Sequence, residues 1–277
     1  MNSSIFAVVN RPNAHPFVMA VITPKICLRC AHELGFGDQQ AEPSRSFRVN
    51  ALQDAVDEAI ADPNIHSLLL SSAGHHFCTG FDLSDLQNLS DQDCLDRLVA
   101  IETLLQSLWY APLRSAALCE GRAWGAGADL LAVCDQAWLG TQATIRFPGV
   151  GFGLILGTRR LGSILGSAQA MRWLSNGYSV DQTQAIESGF GHAAPDTGAY
   201  EHLTEMLSQR PLADRQTMQQ LREQLRPDFR QADMKALVDS ASLGSIKRRI
   251  MAYRELTLAN RSRANELSDA IRTQPGG

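Results

Sequence analysis

Two short glycine-containing stretches carry the residue types best suited to chemistry: residues 76–83, HFCTGFDL, and residues 121–129, GRAWGAGAD. Each follows an apolar run and leads into a helical pattern. Turns of this kind leave backbone N–H groups unpaired at helix starts, free to point at a ligand. Two such donors converging on one point stabilise the negative charge that develops on an acyl or thioester oxygen. The chemistry this predicts is that of an activated carbonyl. Cys78 lies beside the first turn, where a thiol is either a nucleophile or a small buried packing residue. Asp129 closes the second stretch, in the first turn of the following helix. An acid there either handles protons beside the donors or meets the positive end of the helix dipole. Asp82 reads as a cap for the helix after the first turn.

These turns need elements to hold them. Apolar β-branched runs at residues 5–10 and 17–23, joined by RPNAHP, predict a hairpin at a sheet edge. Helical spacing over residues 47–60 ends at Asp62-Pro63-Asn64. Strands are predicted at residues 67–72, 115–119, 136–139 and 143–147, with a short extended piece at 189–193. Helices are predicted at residues 95–108, 125–134, 167–175 and 181–188. Strand–helix–strand succession implies parallel crossovers with ligand sites at the carboxyl ends of strands, where both turns fall. From residue 198 onward the pattern is helical, broken at Arg210-Pro211 and Arg226-Pro227.

Composition narrows the function classes. The chain has 277 residues, 44% hydrophobic and 19% charged, as expected of an ordinary globular protein. A net charge of −4 gives no electrostatic case for nucleic acid or an anionic membrane. No apolar run reaches the ~18–20 residues of a membrane span, and the N-terminus does not read as a secretory signal. Six scattered cysteines fit a reducing, cytoplasmic setting better than a disulfide framework. Cys27-x-x-Cys30 with His32 has the spacing of half a metal site, but no second pair completes it, so no metal is expected.

The ordered set of motifs resembles the crotonase superfamily, the enoyl-CoA hydratase/isomerase family. The matching runs are ADPNIHSLLLSS, GHHFCTGFDL, AALCEGRAWGAGADLLAVCDQAWLG, FPGVGFGLILGTRRLG and WLSNGYSVDQTQAIESG. The resemblance implies an α/β spiral of ββα repeats over residues 1–195 and a helical oligomerisation subdomain over 196–277. It also implies a homotrimer or hexamer, and an acyl-CoA substrate whose coenzyme A is not a separate cofactor. It assigns the oxyanion donors to the backbone N–H groups of Phe81 and Ala126, and the catalytic carboxylate to Asp129. Around the substrate it sets Cys78, Gly80, Trp124, Gly125 and Gly149, with Phe81 and Trp124 large enough to narrow the acyl pocket. The family's second glutamate position falls on Gly149, and a further aspartate position of its dienoyl-CoA isomerases on Gly157. Neither glycine can move a proton. Water addition needs two such groups, so isomerisation is the better expectation than hydration. A silent acyl-CoA-binding member and a thioester hydrolase are the alternatives.

Other residues have simpler readings. His75 and His76 read as loop histidines, Arg146, Arg159 and Arg160 as ion-pairing groups near a helix start or subunit contact, and Tyr110 as half-buried packing. Lys247, Arg248, Arg249 and Arg254 form a basic stripe, either a solvated face or a hold on coenzyme A phosphates.

Overall fold

The computed structural model describes residues 6–9, 17–22, 46–72, 74–81, 83 and 85–272. Asp82 and the Cys27, Cys30 and His32 group lie outside them. The predicted hairpin is β1 (Phe6–Val9) antiparallel to β2 (Phe17–Ile22), at the edge of a six-stranded sheet. Beyond it run β3 (Ser67–Ser72), β4 (Arg114–Cys119), β6 (Gln136–Leu139) and β9 (His192–Ala193), each parallel to its neighbour. A second sheet orders β5 (Arg122–Trp124), β7 (Thr144–Arg146) and β8 (Val180–Asp181).

The repeat is strand, strand, helix. β4 belongs to the large sheet, β5 crosses to the small one, and α3 (Ala126–Val133) returns. β6 and β7 make the same crossing before α4 (Thr158–Leu165) and α5 (Ser167–Asn176). β5 and α4 escape the sequence pattern. β5 has three residues, and the glycines around α4 hide a helix whose buried residues are Arg160 and Leu161. Tertiary packing supplies what local propensity does not.

The core follows the apolar stripes. α1 (Ser46–Ala61) buries Leu52, Val56 and Ala59 in a cluster shared with Leu105 and Leu108 of α2 (Asp91–Tyr110). α2 starts at a reciprocal cap in which the Ser90 side chain accepts from the Asp93 N–H and Asp93 accepts from the Ser90 N–H. α6 (Gln182–Glu187) leads into β9. The later helices complete two further clusters. α7 (Ala199–Ser208) lays Leu203 and Leu207 on Leu69, Ala116 and Leu118 of the large sheet. α9 (Arg230–Ala241) and α10 (Ile246–Arg272) set Leu237, Ile246 and Ile250 against Leu98 of α2 and Leu154. Between them, α8 (Arg215–Leu225) buries Arg222, whose guanidinium reaches Asp135 at 2.8 Å. Among the described residues no helix is long and apolar enough to cross a membrane.

Candidate active site

The two glycine turns, distant in sequence, are stitched together by β5. The Cys78 N–H donates to Arg122 O at 3.1 Å, and the Trp124 N–H donates to Cys78 O at 2.9 Å. Gly80, at φ +87°, then brings its Cα against the second turn. A Cβ there would lie 2.7 Å from Trp124 O and 3.3 Å from Ala126 N, so only glycine allows this approach. Gly125 turns the chain at φ +57° and donates its N–H to Arg146 O at 2.8 Å. Its amide is thereby used. The next amide, of Ala126, opens α3, and neither it nor that of Phe81 meets an acceptor among the described residues.

Phe81, Ala126 and Asp129 line one cavity, with ≈ 840 Å³ of empty space including its open mouth. Its walls are mostly apolar and include Leu98 and Ile101 of α2, residues of the segment 147–156, Leu174 of α5, and Ile250 with Tyr253 of α10. Gly125 and Gly149 line it as well. Cys78, Gly80 and Trp124 do not. Cys78 is buried behind α3, its carbonyl pressed so close to Gly127 that a Cβ there would lie 2.1 Å away. The Trp124 ring turns aside, its Nε1 donating to Thr144 Oγ1 and its face flanked by Arg122 at 5.0 Å and Arg146 at 5.9 Å. The expected narrowing by Trp124 is therefore absent, and Phe81 alone of that pair reaches the wall.

Asp129 is 5% exposed, and no hydrogen bond from the described residues reaches its carboxyl. Burial pushes its pKa up to about 8; the Arg160 guanidinium opposes that rise and the Glu102 carboxylate adds to it. At neutral pH the group holds its proton. Opposite it, no second acid stands at either expected place. Gly157, at φ +66°, packs on Asp129 itself, and a Cβ there would fall 2.2 Å from Oδ1. Gly149 begins a short 3-10 turn (Gly149–Phe152) with space beside it.

Behind Asp129 lies a charge network that the sequence reading did not assemble. Arg160 donates from Nη1 and Nη2 to the two oxygens of Glu102, at 2.9 and 2.5 Å. Glu102 is fully buried, and Gln106 Nε2 donates to it at 2.7 Å. The available signal was a charge inside a leucine stripe: Glu102 follows Leu98 by four residues and precedes Leu105 by three. Arg159 pairs with Asp233 at 2.8 Å. Arg146 donates to Gly177 O and to the Tyr253 hydroxyl. Nothing local in the sequence signals Tyr253.

The remaining candidates are tied down elsewhere. His76 Nδ1 accepts from the Arg122 N–H at 3.4 Å. The Tyr110 hydroxyl donates to Pro227 O and accepts from the Phe229 N–H. In the basic stripe, Lys247 Nζ donates to Gln87 O and Leu89 O, and Arg249 clamps the carbonyls of Phe152, Gly153, Ser240 and Ala241. Arg249 thereby fastens α10 to Phe152 of the cavity wall, and Lys247 fastens it to the turn before α2.

Residues 47–267 match the family described as enoyl-CoA hydratase/isomerase. A crystal structure from Bordetella parapertussis, provisionally described as an enoyl-CoA hydratase/isomerase, is 33% identical with a TM-score of 0.77, covering 91% of this chain and 98% of that one. A Gallus gallus protein named ethylmalonyl-CoA decarboxylase is 32% identical over 57% of this chain and 56% of its own length. An enoyl-CoA isomerase/hydratase of Mycosarcoma maydis is 29% identical over 53% of this chain and 56% of its own. The chain spans about half the length of the curated relatives it matches.

Proposed function

From its membership of the enoyl-CoA hydratase/isomerase family, we propose that this chain acts on a coenzyme A thioester by way of an enolate, and that decarboxylation of a thioester bearing an α-carboxylate is its reaction. The amides of Phe81 and Ala126 hold the thioester oxygen. The bond from the α-carbon to the carboxylate breaks, its electron pair passes into the enolate, and carbon dioxide leaves. Asp129 then delivers its proton to the α-carbon and is reprotonated from solvent. One observation carries this reading: Asp129, the one carboxyl lining the cavity among the described residues, is buried, with its pKa pushed up to about 8, and so begins as an acid. Hydration needs a second group to activate water. Decarboxylation needs only the donor, and an apolar wall favours loss of a charged carboxylate. The name ethylmalonyl-CoA decarboxylase, carried by several relatives, supports the same reaction.

Isomerisation, the expectation from sequence, is the second reading, because one carboxyl can also move one proton between two carbons of an enolate. The Mycosarcoma relative's name favours it. The two differ in pH dependence: decarboxylation falls as Asp129 ionises near pH 8, whereas isomerisation rises there. The deciding experiment supplies ethylmalonyl-CoA in D2O. Release of CO2, one deuterium at C2 of the product, and a loss of about 10²-fold or more in Asp129→Asn are expected. Turnover of a 3-enoyl-CoA without CO2 release overturns decarboxylation in favour of isomerisation. Binding without any turnover means a silent acyl-CoA-binding protein, and free coenzyme A alone means a hydrolase.

A further inference from the structure

Glu102 does not line the cavity, yet it is 0% exposed on a helix whose neighbouring turns are leucine. A carboxylate keeps its charge in a buried place where a cation meets it. Here the two-point grip on Arg160 does so, and Asp233 of α9 approaches the same guanidinium at 3.8 Å. The third nitrogen, Arg160 Nε, is buried with no acceptor among the described residues. Arg160 lies in the first turn of α4, three residues after Gly157, whose Cα rests on the Asp129 carboxyl. A cation with a spare donor therefore stands close to Asp129 without bonding to it.

We propose that Glu102 is a positioning residue of this site: its grip turns the Arg160 guanidinium away from Asp129 and prevents a salt bridge between the cation and the acid that holds the reactive proton. The inference rests on Asp129 being that acid, as proposed above. Among the described residues, the charges that act on Asp129 are Arg160 of α4 and Glu102 of α2; β4, β5 and β6, also packed on α3, add none. Tyr253 of α10 is the titratable group on the facing wall. Removing the Glu102 charge ends its own repulsion of the Asp129 carboxylate and frees Arg160 to swing its unpaired donor onto an ionised Asp129; both stabilise the ionised form. The proton is then held less tightly.

The test needs no substrate, so its failure is separate from failure of the decarboxylase reading. Aspartate carboxyl carbons are labelled with 13C and titrated by NMR, the Asp129 signal being the one missing in Asp129→Asn. In Glu102→Gln the Asp129 midpoint is expected to fall by one pH unit or more, a tenfold weaker hold on the proton. In Glu102→Gln/Arg160→Met, where both charges are gone, it returns to the parent value or above. A Glu102→Gln protein that melts lower with an unmoved Asp129 midpoint overturns the proposal, because Glu102 is then structural only. If Glu102→Gln does not fold, Glu102→Asp decides, because it keeps the charge but shortens the reach to Arg160: a midpoint below the parent's supports the proposal, and an unmoved one overturns it.

Discussion

Asp129 carries a desolvation cost that its neighbouring cation does not cancel. The consequence for stability has a definite sign. Its pKa rises from an ordinary 3.8 to about 8 on folding, so between those values the folded chain holds a proton that the unfolded chain has lost. Stability therefore falls as pH rises through that window and levels off above it. Asp129→Asn, impaired by the proposal above, is expected to be more stable than the parent by at least about 1–2 kcal/mol at pH 8–9, with little gain near pH 4. For a chain of this size that is about 2–4 °C in Tm per kcal/mol, readable by thermal denaturation at the two pH values. Equal stability at both would show that the carboxyl is not desolvated. A second residue tests the missing partner. Gly149 does not hold a positive φ, and a Cβ there meets Leu154 O at an ordinary 3.5 Å. Gly149→Glu should therefore fold, put a second carboxyl on the cavity wall, and raise hydration of crotonyl-CoA by at least about tenfold over a very slow parent. A parent that already hydrates crotonyl-CoA at tens per second, the ordinary enzyme range, means that another residue replaces the glutamate.

At the scale of an element, the short helix α3 matters most at its first residue. Gly125 spends its N–H on Arg146 O, which leaves the Ala126 N–H as the donor facing the cavity. Proline is well tolerated at the first position of a helix, where the missing N–H breaks no helical bond. Ala126→Pro should thus keep its circular dichroism spectrum and lose about 2.7–4 kcal/mol of transition-state stabilisation, a 10²–10³-fold drop in kcat. A folded Ala126→Pro protein with full turnover would place the oxyanion elsewhere. α10 acts differently. It supplies Ile250 and Tyr253 to the cavity and is fastened by Arg249 to Phe152 of the wall and by Lys247 to the turn before α2, so basic residues of a solvated-looking stripe hold the helix in place.

Across the whole molecule, the C-terminal helices and the connections between them expose large apolar side chains. Leu212, Leu225, Leu243 and Leu256 are exposed, the last still 60% so. A surface of this kind is usually covered by another subunit. The chain is expected to sediment as a trimer or hexamer, and charged substitutions at Leu225 and Leu243 together should shift it toward smaller species. A parent that is monomeric at micromolar concentration would refute the assembly.

The strands of the large sheet, the long helices and the two turns were legible in the sequence because each is set by local pattern. SLLLSS can only be a buried strand here, the leucine stripe from Leu95 to Leu108 reads as a helix, and Gly80 and Gly125 mark backbone that other residues strain to adopt. That Gly149, the position the resemblance gives to a second acid, carries no side chain was equally plain. Tertiary structure alone decided what surrounds Asp129. The Glu102–Arg160 pair joins helices far apart in the chain, Tyr253 arrives from α10, and Trp124 turns out of the cavity it was expected to narrow. No periodicity encodes such meetings. They depend on which helix faces which, and the energy of a buried charge is set by those neighbours rather than by its own residue type.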